Sequence, residues 1–269
     1  MGAAESTDRS APDFNHAADE QNKHFCPGEP LPRKSLRMLC LHGHGSNNDI
    51  TRLQMANLRM REHGVVCDLL EATVQAEAQN EMLTLLSEGP FFTWFNFFSH
   101  GSMPFVELKH RSSTLQASLK RVMWYVQRYG PYDGIFGFSQ GALLVSTLSS
   151  PECWRGLFGL EACPWQFCIC ACAGGTRFLK GLELDQAGEQ LPVPIAVPIR
   201  LPTLHLIGQY DFWHRGASEA LAKEYYAAAG NDIYTHGHGH ELPMMLQHDA
   251  LLRDKLASFL KQCEHPQLT

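Results

Sequence analysis

The chain lacks several features that would assign it to whole classes of protein. No apolar run approaches the roughly 18 residues a membrane-spanning helix needs, and the polar N-terminus has no signal-peptide core. No run of Lys or Arg stands out, and the formal net charge is -6 over 269 residues, which argues against nucleic acid as the main ligand. The nine cysteines are an odd count without disulfide-scaffold spacing. Cys40, Cys168, Cys170 and Cys172 fall inside apolar, strand-like runs. They read as reduced, core-packed thiols, and the expected location is a reducing compartment, the cytoplasm. Residues 1–34 hold few large apolar side chains and are expected to form a disordered or loosely attached arm.

With 44% hydrophobic and 19% charged residues, the remainder, 35–269, can bury one large core and is expected to be a single domain. Continuous apolar runs, the mark of buried parallel strands, are predicted at Leu36 to Leu41, Val65 to Leu70, Ile135 to Phe138, Phe167 to Ala173, Thr203 to Ile207 and Ile233 to Thr235. Helical patterns are predicted between them, from Ile50 to about His63, Thr114 to Tyr129, Gln140 to Leu148, Ala217 to Ala229 and Met244 to Leu260. In the second of these, Leu115, Leu119, Val122, Met123 and Val126 form one stripe. Ser113 and Gln116 resemble a capping box, and Gly130-Pro131 stops the helix. Alternation of strands and helices, with a proline-studded stretch from Leu191 to Pro202 expected as an extended connection, predicts an α/β fold with a doubly wound, mostly parallel sheet.

The most specific string is Gly137-Phe138-Ser139-Gln140-Gly141. A G-x-S-x-G pattern between a strand and a helix describes a sharp turn in which the glycines let the two elements approach closely around a strained serine. The alternative, a glycine-rich turn with an incidental serine, explains neither the buried run before it nor the apolar helix after it.

A serine hydroxyl is a weak nucleophile until an imidazole accepts its proton, and a carboxylate must hold that imidazole in the right tautomer. In a parallel sheet such groups come from loops past the carboxyl ends of strands. The loop after the Thr203 run carries Asp211, and the loop after the last strand carries His236, His238 and His240. The chain order Ser, Asp, His is that of α/β-hydrolases. Asp211 could also cap the helix that follows it, and spacing does not choose among the histidines. Two N–H donors are needed for the oxyanion. The expected pair is the backbone amide of Gln140 and that of His44, in the loop after the first strand.

These residues carry a family resemblance. Leu41-His42-Gly43, the run from Gly130 through Gly134 to Ala142, Leu204 to Gly208 with Asp211, and Gly239-His240-Glu241-Leu242-Pro243 resemble the eukaryotic FSH group of serine hydrolases, over about Leu36 to Leu260. The resemblance implies an α/β-hydrolase fold and carboxylesterase or thioesterase chemistry on acyl substrates, with no cofactor. By position it makes Ser139 the nucleophile, Asp211 the acid and His240 the base, in a G-H-x-x-P pattern. Where the family has a glycine pair before that histidine, this chain has His238-Gly239.

The segment Phe91 to Phe98 is unusually aromatic, and Trp94, Phe95 and Phe98 are candidates for an apolar acyl pocket, with core packing as the alternative. The expected partner is therefore a small-molecule ester or thioester with an apolar acyl group. The clustered histidines invite a metal-hydrolase reading, but no metal motif matches and a metal would leave Ser139 unexplained. Cys168, Cys170 and Cys172 alternate as if on one strand face, where small buried side chains are a better account than a soft-metal site. Met1-Gly2-Ala3-Ala4-Glu5-Ser6 fits the N-myristoylation pattern at Gly2, yet one acyl chain without a basic cluster gives only marginal membrane binding. A second class of function is a non-catalytic scaffold of this fold holding an apolar ligand.

Overall fold

A computed structural model describes residues 35–95, 106–174, 198–227, 230–243 and 249–264, with backbone alone for 106–113. The expected N-terminal arm, Gly2, Phe98 and the start of the last predicted helix lie outside the described residues.

Six strands, β1 (Leu36–Leu41), β2 (Val65–Leu70), β5 (Gly134–Phe138), β6 (Phe167–Ala171), β7 (Thr203–Gly208) and β8 (Asn231–His236), form one sheet in the order β2-β1-β5-β6-β7-β8. Every neighbouring pair in it is parallel. The short strands β3 (Val74–Ala76) and β4 (Phe91–Thr93) form a separate antiparallel pair. The helices are α1 (Asn48–Asn57), α2 (Glu81–Leu86), α3 (Val106–Tyr129), α4 (Gln140–Ser149), α5 (Arg215–Glu224) and α6 (Ala250–Glu264).

Two apolar layers account for this arrangement. One face of the sheet packs the predicted α3 stripe, Leu115, Leu119, Val122, Met123 and Val126, together with α4 and Leu221 of α5. The opposite face is covered by Met55 of α1 and by Leu252, Leu256, Phe259 and Leu260 of α6. Each fully buried side chain of this kind contributes on the order of 2 kcal/mol, so the stripes fix which face each helix covers. After β2 the chain crosses to the far side of β1, and strands are then added outward from β5. The carboxyl ends of β1 and β5 therefore flank the crevice where strand order reverses.

Several local expectations are corrected. The helix expected to reach His63 ends at Asn57. Arg59 takes a left-handed φ of 52°, which breaks the α ladder before a 3-10 turn at Met60–His63. Helix α3 starts at Val106, so Ser113 lies in its interior and not at its first turn. Between Pro104 and Gly130 there is no Pro or Gly to stop the ladder. Strand β6 ends at Ala171, and Cys172 turns at a φ of 45°. Cys168 and Cys170 face the α3 and α4 layer, but Cys172 is swung into the other layer, so the three thiols do not share a face.

Candidate active site

Ser139 sits at the turn between β5 and α4 with φ 52° and ψ −113°, a conformation costly for a residue with a Cβ. Neighbouring packing enforces it. The Ser139 amide donates to Ala171 O at 2.8 Å, extending the ladder to β6 up to the turn. A Cβ on Gly141 would meet Leu41 O at 2.5 Å and His42 O at 2.6 Å, and one on Gly137 would run into the Gly141 backbone. Only glycines let α4 start this close to β1 and β5.

Two loops from the far side of the sheet reach the serine. The loop after β7 carries Asp211 and the loop after β8 carries His240. His240 Nε2 is 2.9 Å from Ser139 Oγ, and His240 Nδ1 is 2.6 Å from Asp211 Oδ2. The ring of Phe138 lies 5.3 Å from that of His240 and walls its other side. An ionised carboxylate can only accept, so the Asp211 contact puts the imidazole proton on Nδ1 and leaves Nε2 to accept from the serine hydroxyl.

Asp211 is 3% exposed. Burial alone would raise its pKa. Hydrogen bonds from His214 and His240, the positive charge His240 can carry and the His214 amide outweigh that, and hold the carboxyl well below the usual carboxylate range. Its Oδ1 accepts from His214 N at 3.0 Å and lies 3.2 Å from His214 Nδ1, so capping the next turn and facing the imidazole are done by different oxygens. The His214 ring lies 4.3 Å from that of His240. His214 was not among the sequence candidates. Only its place three residues after Asp211 hinted at it.

The other histidines of the loop separate by environment. His236 is buried, burial lowers its pKa to about 4, and its Nε2 faces Cys172 Sγ at 3.8 Å. His238 is half exposed and lies 3.4 Å from Glu241.

Gln140 starts α4 directly after Ser139, so its amide belongs to the first turn of that helix. Its side chain clamps the segment leaving β4. Oε1 accepts from Thr93 Oγ1 and from Trp94 N, each at 2.8 Å, and Nε2 donates to Phe95 O at 2.6 Å. His44 Nδ1 lies 2.8 Å from Thr93 Oγ1, which ties the loop after β1 to the same clamp. Trp94 and Phe95 are 0% and 1% exposed and belong to the α3-side core; Trp94 Nε1 donates to His42 O at 2.8 Å. Both side chains, offered as pocket candidates with core packing as the alternative, lie in that core. Thr93 and the amide side chain of Gln140 were missed from the sequence, because their role depends on a contact 47 residues apart.

His42 donates through Nδ1 to Gly43 O at 2.7 Å and accepts at Nε2 from Ala72 N at 3.0 Å. Both nitrogens are engaged by a neutral ring, and burial lowers its pKa to about 4. His42 therefore props the loop and offers no free ligand atom to a metal.

A six-stranded parallel sheet wound on both faces, with a strained serine at the switch point, defines the α/β-hydrolase class. Residues 32–251 match the serine hydrolase (FSH1) family, and the chain belongs to that family. Esterase OVCA2 of Xenopus tropicalis is 29% identical over 235 residues, which are 85% of this chain and 95% of the relative. A dihydromonacolin L-(lovastatin nonaketide synthase) thioesterase of Aspergillus terreus is 26% identical over 201 residues, 70% of this chain and 78% of the relative. Among solved structures, TT1662 from Thermus thermophilus superposes with a TM-score of 0.50 at 18% identity, over 88% of this chain and 92% of that one, a likeness of fold. The chain is an enzyme, a hydrolase acting on ester bonds. No helix among the described residues is long and apolar enough to cross a membrane.

Proposed function

We propose that the chain cleaves a carboxylic ester or thioester of a small molecule with an apolar acyl group, through an acyl-enzyme on Ser139. The observation that carries this reading is the unbroken run from Ser139 Oγ to His240 Nε2 at 2.9 Å and from His240 Nδ1 to Asp211 Oδ2 at 2.6 Å. Ser139 Oγ attacks the carbonyl carbon as its proton passes to His240 Nε2. The imidazolium that forms is stabilised by Asp211, whose acidity keeps it ionised throughout. Negative charge on the carbonyl oxygen is met by the amides of Gln140 and His44. His240 then returns the proton to the departing alkoxide or thiolate. Water repeats the sequence on the acyl-enzyme and frees the acid.

An apolar acyl group is supported by the acid loop, where Tyr210, Phe212 and Trp213 flank Asp211 and are 54%, 87% and 90% exposed. Exposed aromatic side chains beside a reacting centre are a surface for apolar substrate. The test is a series of p-nitrophenyl esters of rising chain length, assayed with wild type and Ser139→Ala. The expected result is a rate that grows with chain length to an optimum and is lost in the variant, whose fold is unchanged by circular dichroism. Turnover that survives in Ser139→Ala would overturn the mechanism.

A further inference from the structure

Beside the triad lies a thiol that ester hydrolysis does not use. Cys172 Sγ, an Asp211 carboxylate oxygen and a His240 ring nitrogen all lie within 4.8 Å of one another. The left-handed φ of 45° at Cys172 turns the thiol out of the row of Cys168 and Cys170 and toward the catalytic loops. The thiol is buried and touches Glu241 O at 3.4 Å, one residue past His240. Another buried imidazole stands beside the thiol. His236 is 1% exposed, its Nε2 faces Cys172 Sγ at 3.8 Å, and its Nδ1 has no hydrogen-bond partner among the described residues. Around a tetrahedral zinc, with bonds of about 2.0–2.3 Å, neighbouring ligand atoms lie about 3–4 Å apart. His236 and His240 are also separated by the three residues common in zinc sites.

We propose that Cys172, Asp211 and His240 form an inhibitory site for a zinc-class divalent cation, with His236, beside the thiol, drawn in to complete the shell. Thiolate, carboxylate and imidazole suit a borderline-soft ion of tetrahedral habit, and not magnesium or calcium. On binding, the metal–sulfur bond forms as the Cys172 thiol gives its proton to solvent. Two anionic ligands then balance the dication. The metal takes Asp211 Oδ2 and His240 Nδ1, in place of the hydrogen bond between them, while Asp211 Oδ1 keeps its His214 contacts. A neutral imidazole has one ring proton. With Nδ1 on the metal, that proton resides on Nε2, which can then donate to Ser139 but not accept from it. The base is disabled once Asp211 Oδ2 and His240 Nδ1, 2.6 Å apart in the triad, part to the spacing the ion needs. This inhibitory consequence rests on the triad reading above; the binding does not.

The test separates the two. Metal-free protein is titrated with Co²⁺ and followed by absorption, then the same samples with Zn²⁺. A sulfur-to-cobalt charge-transfer band with intense tetrahedral d–d bands is expected in wild type, displaced by Zn²⁺ and missing from Cys172→Ala. The Cys172→Ser variant serves should the alanine protein fail to fold, and the wild-type spectrum needs neither. In ester hydrolysis, each protein referred to its own metal-free rate, saturating Zn²⁺ should slow wild type by more than about tenfold, reversibly with chelator, and spare the variant. A wild-type spectrum without the sulfur band would overturn the site, as would a band that persists in Cys172→Ala. Zinc binding that leaves the wild-type rate unchanged would overturn the inhibition.

Discussion

Residue by residue, the site depends on one proton being on one nitrogen. Asp211 Oδ2 holds it on His240 Nδ1 at 2.6 Å, and an amide in the same place could donate instead and reverse the tautomer. Asp211→Asn is therefore expected to fold normally and lose on the order of 10⁴ in kcat, with KM little changed, read in steady-state ester assays. A loss below tenfold would mean that the carboxylate does not orient the base. The residues of this chain of bonds were legible in the sequence because each sits at a marked place: Ser139 in a glycine-flanked turn, Asp211 and His240 just past apolar strands. The choice of His240 over His236 and His238 came from the family resemblance, since spacing alone left all three open. Cys172 and His214 were not legible in their present roles. A single left-handed φ decides where the Cys172 thiol points, and nothing in a run of apolar residues announces it.

At the scale of elements, the junction of β5 and α4 is tightly constrained by backbone. A Cβ at Gly141 would fall 2.5 Å from a backbone carbonyl of β1, which cannot swing aside as a side chain could. Gly141→Ala is expected to destabilise the protein by about 3 kcal/mol or more, measured by urea denaturation. By contrast, a Cβ at Gly156 meets nothing within 4 Å, so Gly156→Ala should be neutral or stabilising by up to about 1 kcal/mol. Equal effects of the two substitutions would contradict the account of the elbow. The core strands were readable because parallel strands buried on both faces appear as plain apolar runs. Strands β3 and β4 and helix α2 were not, being three, three and six residues long and carrying too little pattern to register. The limits of α1 and α3 were misjudged for different reasons. The first is ended by a backbone turn at Arg59, and the second runs on because no breaker precedes Ser113 closely.

In the whole molecule, buried imidazoles set how stability responds to pH. Burial lowers the pKa of His42 from 6.5 to about 4 and that of His205 from 6.5 to about 3. Both folded values lie below the unfolded one. The unfolded chain then binds more protons as pH falls below about 6.5, and stability, complete above that pH, is lost at about 1.4 kcal/mol per group per pH unit. Glu71 acts in the opposite sense, since burial raises it from 4.5 to about 7, so the folded state holds its proton over much of the same range. With His236, which burial also lowers to about 4, three imidazoles outnumber one carboxyl, and urea midpoints should fall steadily from pH 7 to pH 5. His205→Phe, which keeps an aromatic ring against Tyr226, should flatten that fall. A flat profile in wild type would contradict the buried neutral state of these rings. The doubly wound architecture itself was legible, because alternation of strand and helix patterns leaves few other topologies. The order of strands in the sheet was not, since it is set by packing among elements distant in the chain.

The most direct test of the account is to treat the folded protein with a fluorophosphonate and locate the adduct by peptide mass spectrometry. The account predicts a single adduct on Ser139, absent from Ser139→Ala and greatly slowed in His240→Ala. Adduct formation at another residue, or none on folded wild type, would contradict it.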